Sequence, residues 1–241
     1  MKRGNRLAAG KLPAGMLARL LAEQESGDAD VLVGGGVGED AAVLRFGGKL
    51  LLAKADPVTF AGDRPGWYAV QINANDIAAA GGESRWFLAS LLLPEQGTDE
   101  KLVYGIFADI RSACQGLGIE LVGGHTEITA GLERPVVAGF MLGEAEKPCR
   151  KQDLRPGDCL LLTKALAVEG TTLLAREFGG RLKENVGAGV LEKAAEFLYS
   201  PGISVVAEAA AARNSGRVVA MHDPTEGGLA TALWELAVAG G

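Results

Sequence analysis

Residues 71–82, QINANDIAAAGG, set the tightest limit on what this chain can fold into. Alanines at 74, 78, 79 and 80 and the closing Gly81-Gly82 predict a helix running into its C-cap. Side chains this small let another backbone or a ligand come close. Yet Asn73, Asn75 and Asp76 interrupt the run, each costing about 0.5 kcal/mol or more relative to alanine. Asn73 and Asp76 stand three residues apart and share a helix face. Such a helix either presents a solvated face or holds polar groups for a purpose. Both readings stay open at this level.

The rest of the chain alternates in the same way. LPAGMLARLLAEQ predicts a short amphipathic helix with Pro13 in its first turn. DADVLVGGGVGEDAAVLRF predicts a strand, a glycine loop and a second apolar run, and LLLAKAD (Leu50 to Asp56) is its hairpin partner across a Gly-Gly turn. A helix from about Trp67 to Ala80 follows, then the strand RWFLASLLLP and a long helix from Thr98, its expected N-cap, to about Leu117. GIELVGG and RPVVAGFMLG are expected to be strands flanking a loop, HTEITAGLE. This pattern indicates one α/β or α+β domain over residues 1–145. The polar, turn-rich EAEKPCRKQDLRPGD begins a second domain, 146–241, in which CLLLTK and GRVVAM are expected strands and the elements read as an incomplete set.

At 241 residues, 48% hydrophobic and 22% charged, the chain can bury a sizeable core. Its net charge of −6 argues against a nucleic-acid backbone or an anionic membrane as partner. No stretch reaches the ~18 continuous apolar residues of a membrane helix. The basic start with Lys2, Arg3 and Arg6 lacks the unbroken apolar core of a leader, because Lys11, Pro13 and Arg19 interrupt it. Cys114, Cys149 and Cys159 show no CxxC spacing, and with His125 and His222 as the two histidines a structural zinc is not expected. A reduced, cytoplasmic setting fits.

GVGEDA (Gly36 to Ala41) matches the loose G-x-G-x-x-A dinucleotide pattern, with Asp56 twenty residues beyond Gly36. A strand rather than a helix is expected after it, and Glu39 and Asp40 would repel a pyrophosphate. A Walker A loop is absent. Acids in glycine-bounded loops offer another chemistry. Asp40, Asp56, Asp76 and Glu127 would disfavour one another's ionisation if they converged in a dry site, and Mg²⁺ would reverse that penalty while bridging to nucleotide phosphates. Singly, each acid also reads as a turn residue, a cap or a solvated side chain. HDPTEGGLATAL predicts a helix start with exposed N–H groups, suited either to an anion or to simple capping. Lys54 and Lys164, at strand ends, could balance phosphate charge. Cys149 has no assignable acid–base partner.

GVGEDAAVL, AKADPVTF, NANDIAAAGG, LVGGHTEIT, RPGDCLLLTK and MHDPTEGGLATAL, in that order from about Val33 to Trp234, together resemble the superfamily of aminoimidazole ribonucleotide synthase, selenophosphate synthetase, thiamine-monophosphate kinase and the hydrogenase-maturation carbamoyl dehydratase. DPTEGGLA points nearest the hydrogenase expression/formation branch. The resemblance implies a PurM-like two-domain α/β fold whose N-terminal mixed sheets join into a barrel in a homodimer, which would cover a long unpaired edge expected at LLLAKAD. It implies Mg²⁺ and ATP bound without a P-loop, and a γ-phosphate transferred or cleaved to activate an oxygen or a selenide. By motif, Asp40, Asp56 and Asp76 would carry the catalytic metal, with Glu127 a further ligand. Asn73, Asn75, Gly123, Gly124, His125, Thr126 and Glu127 would line the nucleotide site. Asp223, Thr225, Gly227 and Gly228 would face a small-molecule or protein-borne acyl or carbamoyl substrate.

Three departures go with it. LAVEG (Leu166 to Gly170) stands where the dehydratase has a Gly-Asp-His-Gly-type loop, Lys54 stands where a small hydroxyl residue is commoner, and the sequence ends before that enzyme's cysteine-bearing tail. An inactive nucleotide-binding scaffold and a thiamine-monophosphate kinase are the alternatives.

Overall fold

The structure, a computed structural model, describes residues 7–23 and 27–240. Lys2, Arg3, Arg6 and Gln24, which entered the reading above, lie outside them. Six strands form one mixed sheet in the order β1-β2-β3-β6-β4-β5: β1 Val31–Val33, β2 Ala42–Phe46, β3 Lys49–Val58, β4 Glu83–Pro94, β5 Glu120–Thr129 and β6 Val136–Ala145. Every neighbouring pair is antiparallel except β4 and β5, which are parallel and joined through a helix. Gly47 and Gly48, at φ 56° and 83°, make the tight β2–β3 turn, a conformation that favours glycine at both positions.

Seven α-helices are described: α1 Ala14–Ala22, α2 Pro65–Ala79, α3 Glu100–Leu117, α4 Val168–Val186, α5 Ala188–Glu196, α6 Val206–Asn214 and α7 Gly228–Gly240. Helices α2 and α3 cover one face of the sheet. Between them and the strands lies the core, with Leu52, Val58, Ile77, Phe87, Leu91, Leu93, Ile106, Ile110, Val137 and Met141 all buried. Helix α2 is sunk so deeply that thirteen of its residues are buried, Asn73 completely. Glycine makes this possible where α2 meets the sheet. A Cβ on Gly139 of β6 would lie 2.4 Å from Asn73 Nδ2 and 2.8 Å from Phe87. Gly139→Ala is therefore expected to destabilise the chain by about 1–3 kcal/mol through overpacking. Urea unfolding checks it, and an unchanged midpoint would mean that α2 can lift without loss.

Several sequence expectations need correction. LLLAKAD, expected as an exposed edge that dimerisation would have to cover, is the middle of β3, paired on both sides by β2 and β6. The long free edge belongs instead to β5, where Val122 and Ile128 stay more than half exposed. HTEIT is no loop, because β5 runs unbroken to Thr129 against β4. Asp99, not Thr98, caps α3, its carboxylate accepting from the Leu102 N–H at 2.8 Å. Pro13 sits just before α1 rather than in its first turn.

In the second half, CLLLTK and GRVVAM form no strand among the described residues. A strand exists only by pairing, and these two segments find no neighbour. Leu160, Leu161 and Leu162 are left 69%, 94% and 54% exposed. No described helix is long and apolar enough to cross a membrane.

Candidate metal-nucleotide site

Strand β3 and helix α2 bring the first acids together. Lys54 and Asp56, two apart on β3, point to the same face, and α2 presents Asp76 above them. Lys54 Nζ lies 3.3 Å from Asp76 Oδ2 and 3.6 Å from Asp56 Oδ2. Asn73 donates one amide N–H set to the Asp56 carbonyl (3.1 Å) and to Ala69 of its own helix (2.8 Å), locking α2 onto β3. Its Oδ1 is buried without a hydrogen-bond partner, and the one polar neighbour of the buried Asp76 Oδ2 is the Lys54 ammonium.

The glycine loop before β2 adds Asp40, buried and held from two directions. Lys151 donates to its Oδ2 at 2.8 Å and also reaches the Gly38 carbonyl. His222 Nδ1 sits 2.6 Å from its Oδ1, and His222 Nε2 is 2.9 Å from Glu235 of α7. Oxygen and nitrogen atoms of Asp40, His222 and Asp223 lie within 4.8 Å of one another, close enough to share a metal ion. The cluster therefore draws on the glycine loop, β3, α2, the linker and the segment leading into α7.

Crowding acids out of water has the expected electrostatic result. Burial, then the negative charges of Asp223, Asp40 and Asp56, outweigh Lys54 and push the Asp76 pKa up to about 9. Asp223 rises to about 6 through burial and the nearby Asp40. Lys54 stays firmly charged: burial opposes it, but Asp76 and Asp56 raise its pKa on balance. Burial likewise works against charging His222, and the hydrogen bonds to Asp40 and Glu235 overcome it.

Other residues singled out from the sequence lie elsewhere. Asn75 faces the second half of the chain, its amide bonding the Ile203 carbonyl (2.9 Å) and the Val205 N–H (2.8 Å). Asp56, Gly139, Ala89 and Gly124 fall on one row of the sheet. Three strand spacings thus separate Asp56 from Gly124, roughly 14 Å along the sheet. Glu127, exposed on β5, bonds His125 (3.1 Å) and Thr129 (2.8 Å) and has no place in the acid cluster of the same chain. Gly123 to Thr126 instead line a cleft of about 420 Å³ with Leu91, Phe107 and Ile110.

Thr225 accepts from Lys11 at 2.8 Å, Lys11 also pairs with Glu226, and Gly227 and Gly228 adopt positive φ at the start of α7. Lys164 is used up by the carbonyls of Pro201, Gly202 and Ser204 and by Glu208. Burial raises the Cys149 thiol pKa, which leaves it a poor nucleophile.

Lys151, His222, Glu235 and Glu169 were not legible as site residues. Glu169, in the first turn of α4, is pushed up to about 7 by burial and by Glu226, Asp223 and Asp56. An acid inside LAVEG, opening a helix, was its one available signal.

A mixed sheet backed by α2 and α3, with acids gathered between β3, α2 and the glycine loop, defines a PurM-like protein. The chain belongs to the AIR synthase-related family: residues 38–145 match the N-terminal domain of AIR synthase related proteins and residues 155–241 the C-terminal domain. The thiamine-monophosphate kinase of Archaeoglobus fulgidus is 28% identical over 59% of this chain and 48% of its own length. Carbamoyl dehydratase HypE of Rhodobacter capsulatus is 29% identical over 77% of this chain and 52% of its own. The chain spans about half the length of the curated relatives it matches. Among solved structures, AaThiL complexed with AMPPCP and TMP superposes with a TM-score of 0.75 at 24% identity, covering 94% of this chain and 69% of that one. Hydrogenase maturation protein HypE in complex with ATP gives 0.61 at 24% identity, covering 83% and 59%. At these identities the structural matches speak for the fold alone.

Proposed function

We propose that the chain binds Mg-ATP at the acid cluster and uses the γ-phosphate to activate an oxygen on its substrate. The observation that carries this reading is the convergence of Asp40, Asp56, Asp76 and Asp223, with Asp76 buried and its Oδ2 met by the Lys54 ammonium alone. Such a group calls for a cation, and an all-oxygen donor set suits Mg²⁺. Asp56, Asp76 and Asp223 would hold the metal, and Asp40 would join them once released from Lys151 or His222. Bound there, the metal would neutralise the triphosphate. This chain's own part is positioning and electrostatics, the main source of rate in phosphoryl transfer. Asn73 fixes α2 against β3, Lys54 supplies a positive charge, and the sunken helix keeps water from one side.

Gly123 to Glu127, roughly 14 Å along the sheet from the cluster, could meet a nucleotide at its far end or across a subunit boundary. The uncovered sheet face, where Phe140 is 41% exposed, and the free β5 edge support a homodimer that pairs the two sheets. The substrate reading nearest the resemblance is an acyl or carbamoyl group, small or protein-borne. A thiamine-monophosphate kinase is the second reading, favoured by the Archaeoglobus relative.

Calorimetric titration of ATP tests the proposal, first with Mg²⁺ and then with EDTA. Metal-dependent binding is expected, and phosphorylation of thiamine monophosphate then separates the two readings. No binding to the folded chain would favour a scaffold without chemistry.

A further inference from the structure

The ammonium of Lys54 occupies the space between two of the carboxylates. Its side chain is four-fifths buried, and its ion pairs among the described residues are with Asp56 and Asp76 alone, at 3.6 and 3.3 Å. A Mg²⁺ ion bridging those carboxylates would sit about 2.0–2.1 Å from each oxygen. Nζ already places a positive charge 3.3 and 3.6 Å from these two oxygens, and a second cation bridging them would be repelled by it. The other half of the cluster is arranged alike, since Lys151 and His222 take both oxygens of Asp40.

We infer that Lys54 is a resident cation at the Asp56–Asp76 position, standing in for one divalent ion, so that the chain binds fewer metal ions than its carboxylates could hold. The inference rests on the metal reading of the acid cluster and deepens it. Lys54 contacts the Oδ2 atom of each carboxylate, the nearer being that of Asp76, and leaves their Oδ1 atoms and Asp223 for the metal that accompanies the nucleotide. An ammonium on β3 is fixed by the backbone, whereas a metal ion in its place would exchange with solvent. One positive charge thus stays in the site through nucleotide arrival and departure.

Counting bound Mn²⁺ on the 241-residue chain tests this, by the electron-paramagnetic-resonance signal of the free ion. Wild type and Lys54→Arg, which keeps the cation, should bind equal numbers. Lys54→Thr and Lys54→Met should each bind one more ion per chain, or bind Mn²⁺ at least ~10-fold more tightly. Lys54→Met keeps the apolar stem, so its cooperative unfolding shows whether packing survives. Adding Asp76→Asn to Lys54→Thr should abolish the gain.

Equal counts and affinities in wild type, Lys54→Thr and Lys54→Met, with Mn-ATP binding intact, would overturn the role of Lys54 and leave the metal reading standing. A gain that survives Asp76→Asn would also overturn it, by placing the new ion elsewhere. No Mn²⁺ bound by any variant, with or without ATP, would overturn both.

Discussion

Asp76→Asn is expected to weaken Mg-ATP binding and, at the same time, to stabilise the metal-free chain. Removing one charge from a buried, charge-paired site costs about 2–5 kcal/mol of binding, at least ~30-fold in affinity. The stability effect runs the other way, because the wild-type carboxyl is desolvated among like charges. In the unfolded chain Asp76 loses its proton near pH 3.8, whereas the folded chain keeps it to about pH 9. Between those values the native state binds the extra proton, so stability falls as pH rises. The drop attributable to Asp76 is on the order of a few kcal/mol.

His222 acts with the same sign. Its folded pKa is raised, so its contribution is complete below the ordinary value of 6.5 and is lost as pH rises through the folded one. The slope that disappears on Asp76→Asn therefore isolates Asp76. Urea unfolding in EDTA at about pH 6 and about pH 8.5 is the measurement. Asp223, raised to about 6, and Glu169, raised to about 7, also titrate within this window and add to the slope of wild type and variant alike, so the comparison rests on the difference between the two chains. An identical slope in the variant would contradict the assignment. A pair of effects with opposite signs distinguishes a functional carboxylate from a structural one, whose loss would lower stability.

Lys151→Met is expected to be the most destabilising of these changes, by about 3–5 kcal/mol. The Lys151 side chain is 3% exposed and that of Asp40 4%. Removing the ammonium leaves a buried carboxylate with His222 as its remaining cationic partner, and strips the Gly38 carbonyl of its donor. The cost comes from the orphaned charge more than from the lost attraction. Accordingly, the double variant Lys151→Met with Asp40→Asn should recover most of it, since buried pairs replaced together are often nearly neutral. Urea midpoints of the two single variants and the double one decide the matter. A loss below about 1 kcal/mol in Lys151→Met would mean that His222 alone neutralises Asp40.

Much of the site was legible in the sequence as residue types, and little of it as contacts. NANDIAAAGG marked a helix whose small side chains allow close approach and left open whether its polar residues are solvated; the structure buries Asn73 and Asp76. Asn75, one residue away from Asp76, points to a different neighbour, a difference that helical spacing indicates but cannot put a partner to. Lys151 and His222 were beyond reach for a simpler reason. They meet Asp40 from 111 and 182 residues away, and no local pattern marks a lysine in a turn-rich linker as an internal cation.

The sequence by itself determined the order of elements through β6, the hairpin at Gly47-Gly48, the small side chains of α2 and the family to which the chain belongs. These follow from local periodicity, turn chemistry and side-chain size, which act over a few residues at a time. Only the tertiary structure decided which strand is central and which is an edge. It moved LLLAKAD to the middle, left β5 open, and separated Glu127 from the acids it resembles. It also decided that Lys54 lies between two carboxylates. Strand pairing and charge convergence depend on groups far apart in the chain, and their free energy exists only once those groups meet.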